Sequence, residues 1–171
     1  MGASLDAEGA RGELMRKGTV WKDIIANRKR MMEVCPQVDF HLSSTVGLIN
    51  SLHVTDFHRS WVEQGLIKPE GFNFNLLQNP TWQRMDILPP EYKQQVKEKY
   101  DKHIAWLKTQ DTLTRATKGF ESALNWMFEK DNTKQLERFF EQTRKYDKIR
   151  NEDTPTVFPE WKELFDKYEK N

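Results

Sequence analysis

Ser4 and Asp6 place a hydroxyl and a carboxylate two residues apart in a short apolar segment, GASLD. On a β-strand that spacing puts both groups on one side, where they suit an amino group or a ribose hydroxyl. The competing reading makes Asp6 the start of a loop turn. Arg16, just before Gly18, offers a guanidinium fork that matches a carboxylate, and equally fits an ordinary surface position. Thr45 and Asn50 follow the carboxyl end of a second strand-like run, where parallel α/β folds bind ligands. Asn50 has a helix N-cap as its alternative. Gln78 and Asn79 hold the equivalent edge of a third run, with a turn before Pro80 as their alternative.

Other chemistries find little support. His53 and His58 are five residues apart, which does not aim both rings at one metal, while His41 and His103 stand alone. No metal site is expected among them. Glu121-Ser122 lacks the glycines of a nucleophile elbow. The single cysteine, Cys35, closes no disulfide and completes no cluster or zinc site, and its place between an apolar helix and Pro36 predicts a buried small hydrophobe. Trp126, Phe128, Phe139 and Phe140 are expected to be core.

The elements around these residues alternate in type. GASLD reads as a strand end and EGARGE as a loop. Thr19 is the expected cap of a helix through Val20, Trp21, Ile24, Ile25, Met31 and Met32, stopped by Pro36. Residues 38–46 alternate as a strand, with Val38, Phe40 and Leu42 on one face. Asn50 or Ser51 would cap a helix ended by Gly65, and residues 72–78 form a third strand. Parallel pairing through helical crossovers is the expected solution. Pro89 and Pro90 open a long amphipathic helix. A turn over Thr109–Thr112, a helix over 113–130, a helix capped by Asp131 or Asn132, and a last one from Pro159 complete the chain.

In 171 residues, 27 basic side chains against 26 acidic ones give a formal charge of +1. That balance argues against nucleic acid as a partner. No apolar run is long enough for a membrane helix, and the first residues have no signal-peptide core, so a cytoplasmic location is expected.

Several blocks resemble the radical SAM superfamily. SLDAEGARGELMRKGTVWKDIIANRKRM is similar to the fourth-strand segment of those proteins and STVGLINSLHVTDFHRSWVEQG to the fifth strand and its helix. FNFNLLQNPTWQRMDILPPEYKQQV is similar to the sixth strand and the turn and helix after it. RATKGFESALNWM and VFPEW resemble the helical tail of twitch-domain members of phage and metagenomic type. The resemblance implies an α/β fold: the C-terminal half of a partial (β/α)6 barrel, about three parallel strands over residues 1–88, with a helical extension over 89–171.

It also implies S-adenosylmethionine (SAM) as cofactor, with Ser4, Asp6, Arg16, Thr45 and Asn50 near it and Gln78 and Asn79 toward substrate. Family members cleave SAM reductively with a [4Fe–4S] cluster held by a CxxxCxxC loop, which this sequence lacks. The expectation is a fragment, silent alone, whose partner is a missing N-terminal half or a companion chain. The alternative is a non-enzymatic binding or assembly module, able to self-associate through its exposed first strand.

Overall fold

In a computed structural model, which describes residues 1–110 and 114–169, the chain is an α/β protein in which helix predominates. Three strands, β1 (Gly2–Ala3), β2 (His41–Val46) and β3 (Phe72–Leu76), form one parallel sheet in the order β1-β2-β3. The helices are α1 (Gly9–Met15) and α2 (Trp21–Val34) between β1 and β2, and α3 (Val54–Glu63) between β2 and β3. After β3 come α4 (Pro90–Lys108), α5 (Arg115–Glu129), α6 (Leu136–Arg150), α7 (Thr154–Val157) and α8 (Lys162–Glu169). Short 3-10 turns lie over Thr81–Gln83, Met85–Ile87, Thr133–Gln135 and Pro159–Trp161. Thr112 and Leu113, expected in a turn and at a helix start, lie outside the described residues.

The sheet has two unlike faces because its side chains alternate. Leu42, Ser44 and Val46 are buried, while His41, Ser43 and Thr45 are half-buried. The register Leu42↔Phe72 and Ser44↔Phe74 extends the buried face into β3. There Phe74 meets Tyr100 of α4 and Phe120 of α5, with ring centroids 6.1 and 5.0 Å away. The opposite face pairs Ser43↔Asn73 and Thr45↔Asn75, and Asn75 Nδ2 donates to Ser43 Oγ at 3.1 Å. Parallel sheets are normally apolar and covered on both faces; this one carries a polar second face.

Local stops follow the chemistry of the termini. Gly65, at φ 69°, ends α3 with two bonds, Gly65 N–H to Val62 O at 2.9 Å and Leu66 N–H to Trp61 O at 2.9 Å. That double closure is the Schellman motif, and it favours a residue without Cβ. Pro90 opens α4 as its first residue. Gly119 lets α5 lie against β3, because a Cβ there would sit 2.7 Å from the Phe74 Cβ.

Several expectations need correction. The EGARGE segment is largely helix, α1, rather than loop. The strand predicted over 38–46 begins only at His41, and Phe40 instead packs under Arg28, whose guanidinium carbon is 4.1 Å from the ring centre. Thr19 does not cap α2: the Glu13 carboxylate accepts the Trp21 N–H at 2.7 Å, and Thr19 turns its hydroxyl back to Arg16 O at 2.7 Å. Neither Asn50 nor Ser51 caps α3, which starts after His53, because residues 48–53 form turns. Asp131 accepts from the Thr133 N–H at 3.0 Å, ahead of the 3-10 turn that leads into α6. Cys35 is exposed, since α2 buries no residue and the chain beyond it lies on the surface. Phe128 is exposed as well.

A single hydrophobic cluster runs from Leu42 and Phe72 in the sheet to Trp161, Leu164 and Phe165 in the tail. Tail and sheet are also tied by hydrogen bonds. Trp161 Nε1 donates to Ile49 O at 2.8 Å, and Arg11 in α1 donates to Val157 O at 3.1 Å and to Glu160 at 2.7 Å. No helix among the described residues is long and apolar enough to cross a membrane.

Candidate functional site

At the carboxyl ends of β1 and β2 the chain closes a cavity of about 250 Å³. Its floor includes Asp6, Thr45, Gly47 and Asn50, and its apolar wall Leu14, Met15, Ile49 and Leu77. The roof comes from the tail, with Phe139, Tyr146, Asp147 and Arg150 of α6 followed by Glu152 and Thr154. A parallel sheet leaves its last amides and carbonyls unpaired at this edge, so polar side chains gather there.

Asp6 organises the floor. Its Oδ1 accepts the Thr45 N–H at 2.7 Å and its Oδ2 pairs with Arg16 NH2 at 2.9 Å, while the residue is 7% exposed. Asn50, fully buried, donates Nδ2 to Asp6 O at 2.8 Å and Thr45 O at 3.0 Å. Its Oδ1 accepts the Gly47 N–H at 3.0 Å. Asn50 thereby sews the end of β1 to the end of β2, with both ends of its amide in use. Gly47 allows the approach of the β3 side: a Cβ there would lie 2.5 Å from Gln83 O.

Of the residues singled out from the sequence, Asp6, Arg16, Thr45 and Asn50 converge on this edge. Ser4 does not join them, because β1 ends at Ala3 and Ser4 is exposed while Asp6 turns inward. Gln78 and Asn79 are exposed and stand apart from the cavity lining; the Asn79–Pro80 peptide is cis. Arg16 faces the Asp6 carboxylate, a pairing that sequence spacing did not suggest. The roof residues of α6 were missed altogether. Their only trace in the sequence is an amphipathic helix, which reads as ordinary packing.

The roof is held by its own bonds. Asp147 accepts from Thr154 at its backbone N–H (3.0 Å) and its hydroxyl (2.6 Å), and Glu152 accepts from Lys17 Nζ at 2.6 Å. The Arg11 guanidinium, bound to Val157 O and Glu160 beyond the roof, also places NH1 2.8 Å from His53 Nδ1. Arg11 always donates, so His53 Nδ1 is the acceptor and the ring proton sits on Nε2. The contact of that Nε2 with Glu8 N–H, at 3.5 Å, is then no hydrogen bond. Burial, reinforced by the Arg11 charge, lowers the His53 pKa to about 4.

Iron–sulfur ligation does not fit these residues. Cys35 lies between α2 and β2, hence at the amino edge of the sheet, opposite the cavity. Among the described residues no group of three histidine, cysteine or acidic side chains is arranged to hold a metal ion. No protein-family model, curated protein or solved structure matches the chain.

Proposed function

We propose that the chain is a SAM-binding flank of a radical SAM-type barrel, with its cavity at the carboxyl edge of β1 and β2 as the nucleoside site. One observation carries this reading: Asp6, Arg16 and Thr45 meet at the ligand-binding edge of a parallel sheet, beside an apolar wall. Asp6 retains acceptor lone pairs for an amino group or ribose hydroxyl, and Leu77, Ile49 and Met15 offer a dry surface to a purine. SAM would supply a reactive sulfonium when bound. The residues here bind, orient and exclude water, and the thiolates for a cluster would have to come from another polypeptide segment. Alone, the chain is silent in SAM cleavage.

Calorimetric titration with SAM tests the proposal. Saturable one-site binding that is lost in Asp6→Ala, with the fold retained by circular dichroism, is the expected result. Absence of heat with folded wild-type protein would sink it.

A second reading, an assembly module, draws on a different observation. The sheet keeps a polar face, with Ser43, Asn73 and Asn75, and β1 is an edge strand only two residues long. The polar face suits a partner that covers it, whereas so short an edge strand offers little to an added strand. Light scattering after size exclusion discriminates: a monomer with a sharp unfolding transition counts against assembly.

A further inference from the structure

Within the cavity roof, Tyr146 and Arg150 stand one turn apart on α6. The Arg150 guanidinium carbon lies 5.2 Å from the centre of the Tyr146 ring. Its NH1 is 4.0 Å from Glu152 Oε2, too far for a hydrogen bond. The other Glu152 oxygen is held by Lys17. Arg150 therefore rests beside an aromatic face and a carboxylate without a directional bond to that carboxylate, and its side chain is 42% exposed.

The other lining carboxylates already hold a partner on each oxygen. Asp6 serves Thr45 and Arg16, and Asp147 serves Thr154. Among the described residues of the lining, Arg150 is the one cationic side chain, against the carboxylates of Asp6, Asp147 and Glu152. Glu152 Oε2, by contrast, makes no hydrogen bond among the described residues, and the Tyr146 face carries the Arg150 guanidinium. Trp82, its ring centre 6.4 Å from that of Tyr146, flanks the ring.

The geometry points to a cation subsite at the cavity mouth, formed by Tyr146 and Glu152 and filled by the chain's own Arg150. Its ligand class is a compact organic cation, an ammonium or sulfonium, attached to an apolar body that enters the cavity. An aromatic face attracts such onium groups through its quadrupole, most strongly when the pair is desolvated. Arg150, long and half in water, loses little on swinging out. A Tyr–Arg pair at this helical spacing also occurs as plain surface decoration, but decoration has no consequence for ligand affinity. This inference rests on the cavity being a small-molecule site, and it does not require that the molecule be SAM.

Amide NMR titration of the full chain with tetramethylammonium chloride, against equal sodium chloride, provides the test. Shifts should centre on Tyr146 and Glu152. Arg150→Gln should tighten binding by about fivefold, Tyr146→Phe should bind like wild type, and Tyr146→Leu should lose binding. Unchanged affinity in Arg150→Gln, or shifts elsewhere on the surface, overturns the subsite. Titration of the same samples with SAM separates the two proposals. Tetramethylammonium binding that responds to Arg150→Gln, without SAM binding, leaves the subsite and removes the SAM reading. SAM binding indifferent to Arg150→Gln does the reverse.

Discussion

His58 Nδ1 and His103 Nε2 lie 3.0 Å apart inside the layer between α3 and α4, with His58 fully buried. The other His58 nitrogen, Nε2, is 3.0 Å from Pro69 O, an acceptor only. His58 therefore donates from Nε2 to Pro69 and accepts at Nδ1 from the His103 Nε2–H. Both rings are neutral in this arrangement, between the aromatic faces of Phe72, Trp106 and Phe120. It is a core polar pair, and its protons make it sensitive to acid.

Burial, with the Arg59 charge and the repulsion a protonated His58 would add, lowers the His103 pKa to about 3, and His53 stands at about 4. Unfolded histidines titrate near 6.5, so below that pH the unfolded chain binds protons that the folded one refuses. Stability is therefore fully present above about pH 6.5 and declines as pH falls toward 4 and then 3. Each histidine contributes a slope of up to about 1.4 kcal/mol per pH unit. Glu8, whose carboxyl is raised by burial, acts in the opposite sense within the carboxylate range. Urea unfolding at pH 7.5, 6 and 5 should show the decline, and His103→Gln should flatten it. A curve with equal stability at pH 7.5 and 5 would contradict the neutral assignment.

Asp6→Ala removes the acceptor of the Thr45 amide and the partner of Arg16 together. The expected loss is about 2–3 kcal/mol, because the amide and the guanidinium lose their acceptor in a mostly buried setting. Asp6→Asn keeps an oxygen for Thr45 and should cost at least about 1 kcal/mol less. Equal destabilisation of the two variants would mean that the carboxylate is not the organising group.

Gly119→Ala sets two effects against each other. Alanine gains up to about 1 kcal/mol of helix propensity, but its Cβ would approach the Phe74 Cβ to 2.7 Å. Separation of α5 from β3 should dominate, for a net loss of about 1–2 kcal/mol. A rise in the thermal midpoint would show that α5 has room to shift.

Trp161→Phe preserves most of the buried ring and deletes one donor, leaving Ile49 O without its 2.8 Å partner. About 1–2 kcal/mol should be lost. Hydrogen exchange should rise in α7 and α8 before it rises in β2, because this bond ties tail to sheet. Uniform acceleration would place the tail in the same cooperative unit as the sheet.

Cys35→Ser should leave stability within about 0.5 kcal/mol, as expected for an exposed side chain remote from the core. A larger loss in denaturant unfolding would restore the buried environment that the sequence suggested.

The three strands, their parallel pairing and the α4 and α6 helices were legible because they depend on local signals. Alternation over 41–46, the Pro90 start and the Gly65 stop act within a few residues of themselves. The meeting of Asp6 with Thr45 was partly legible, since both fall at strand ends and parallel strands bring those ends to one edge. The Arg16 pairing was not, because α1 was read as a loop; its glycines disguised a helix that turns Arg16 back toward Asp6. The Cys35 environment was misread for a related reason: α2 has an apolar stripe, yet no element packs over its far side.

What the sequence by itself determined is therefore the alternation of elements and which residues stand at the carboxyl edge of the sheet, since period and turn chemistry are short-range. Tertiary structure alone decided the rest. It brought His103 to His58 across 45 residues, laid the α6 roof over Asp6, and set Arg150 beside Tyr146 at a cavity mouth. Contacts of that range depend on how helix faces share one core, and no local pattern encodes which faces those will be.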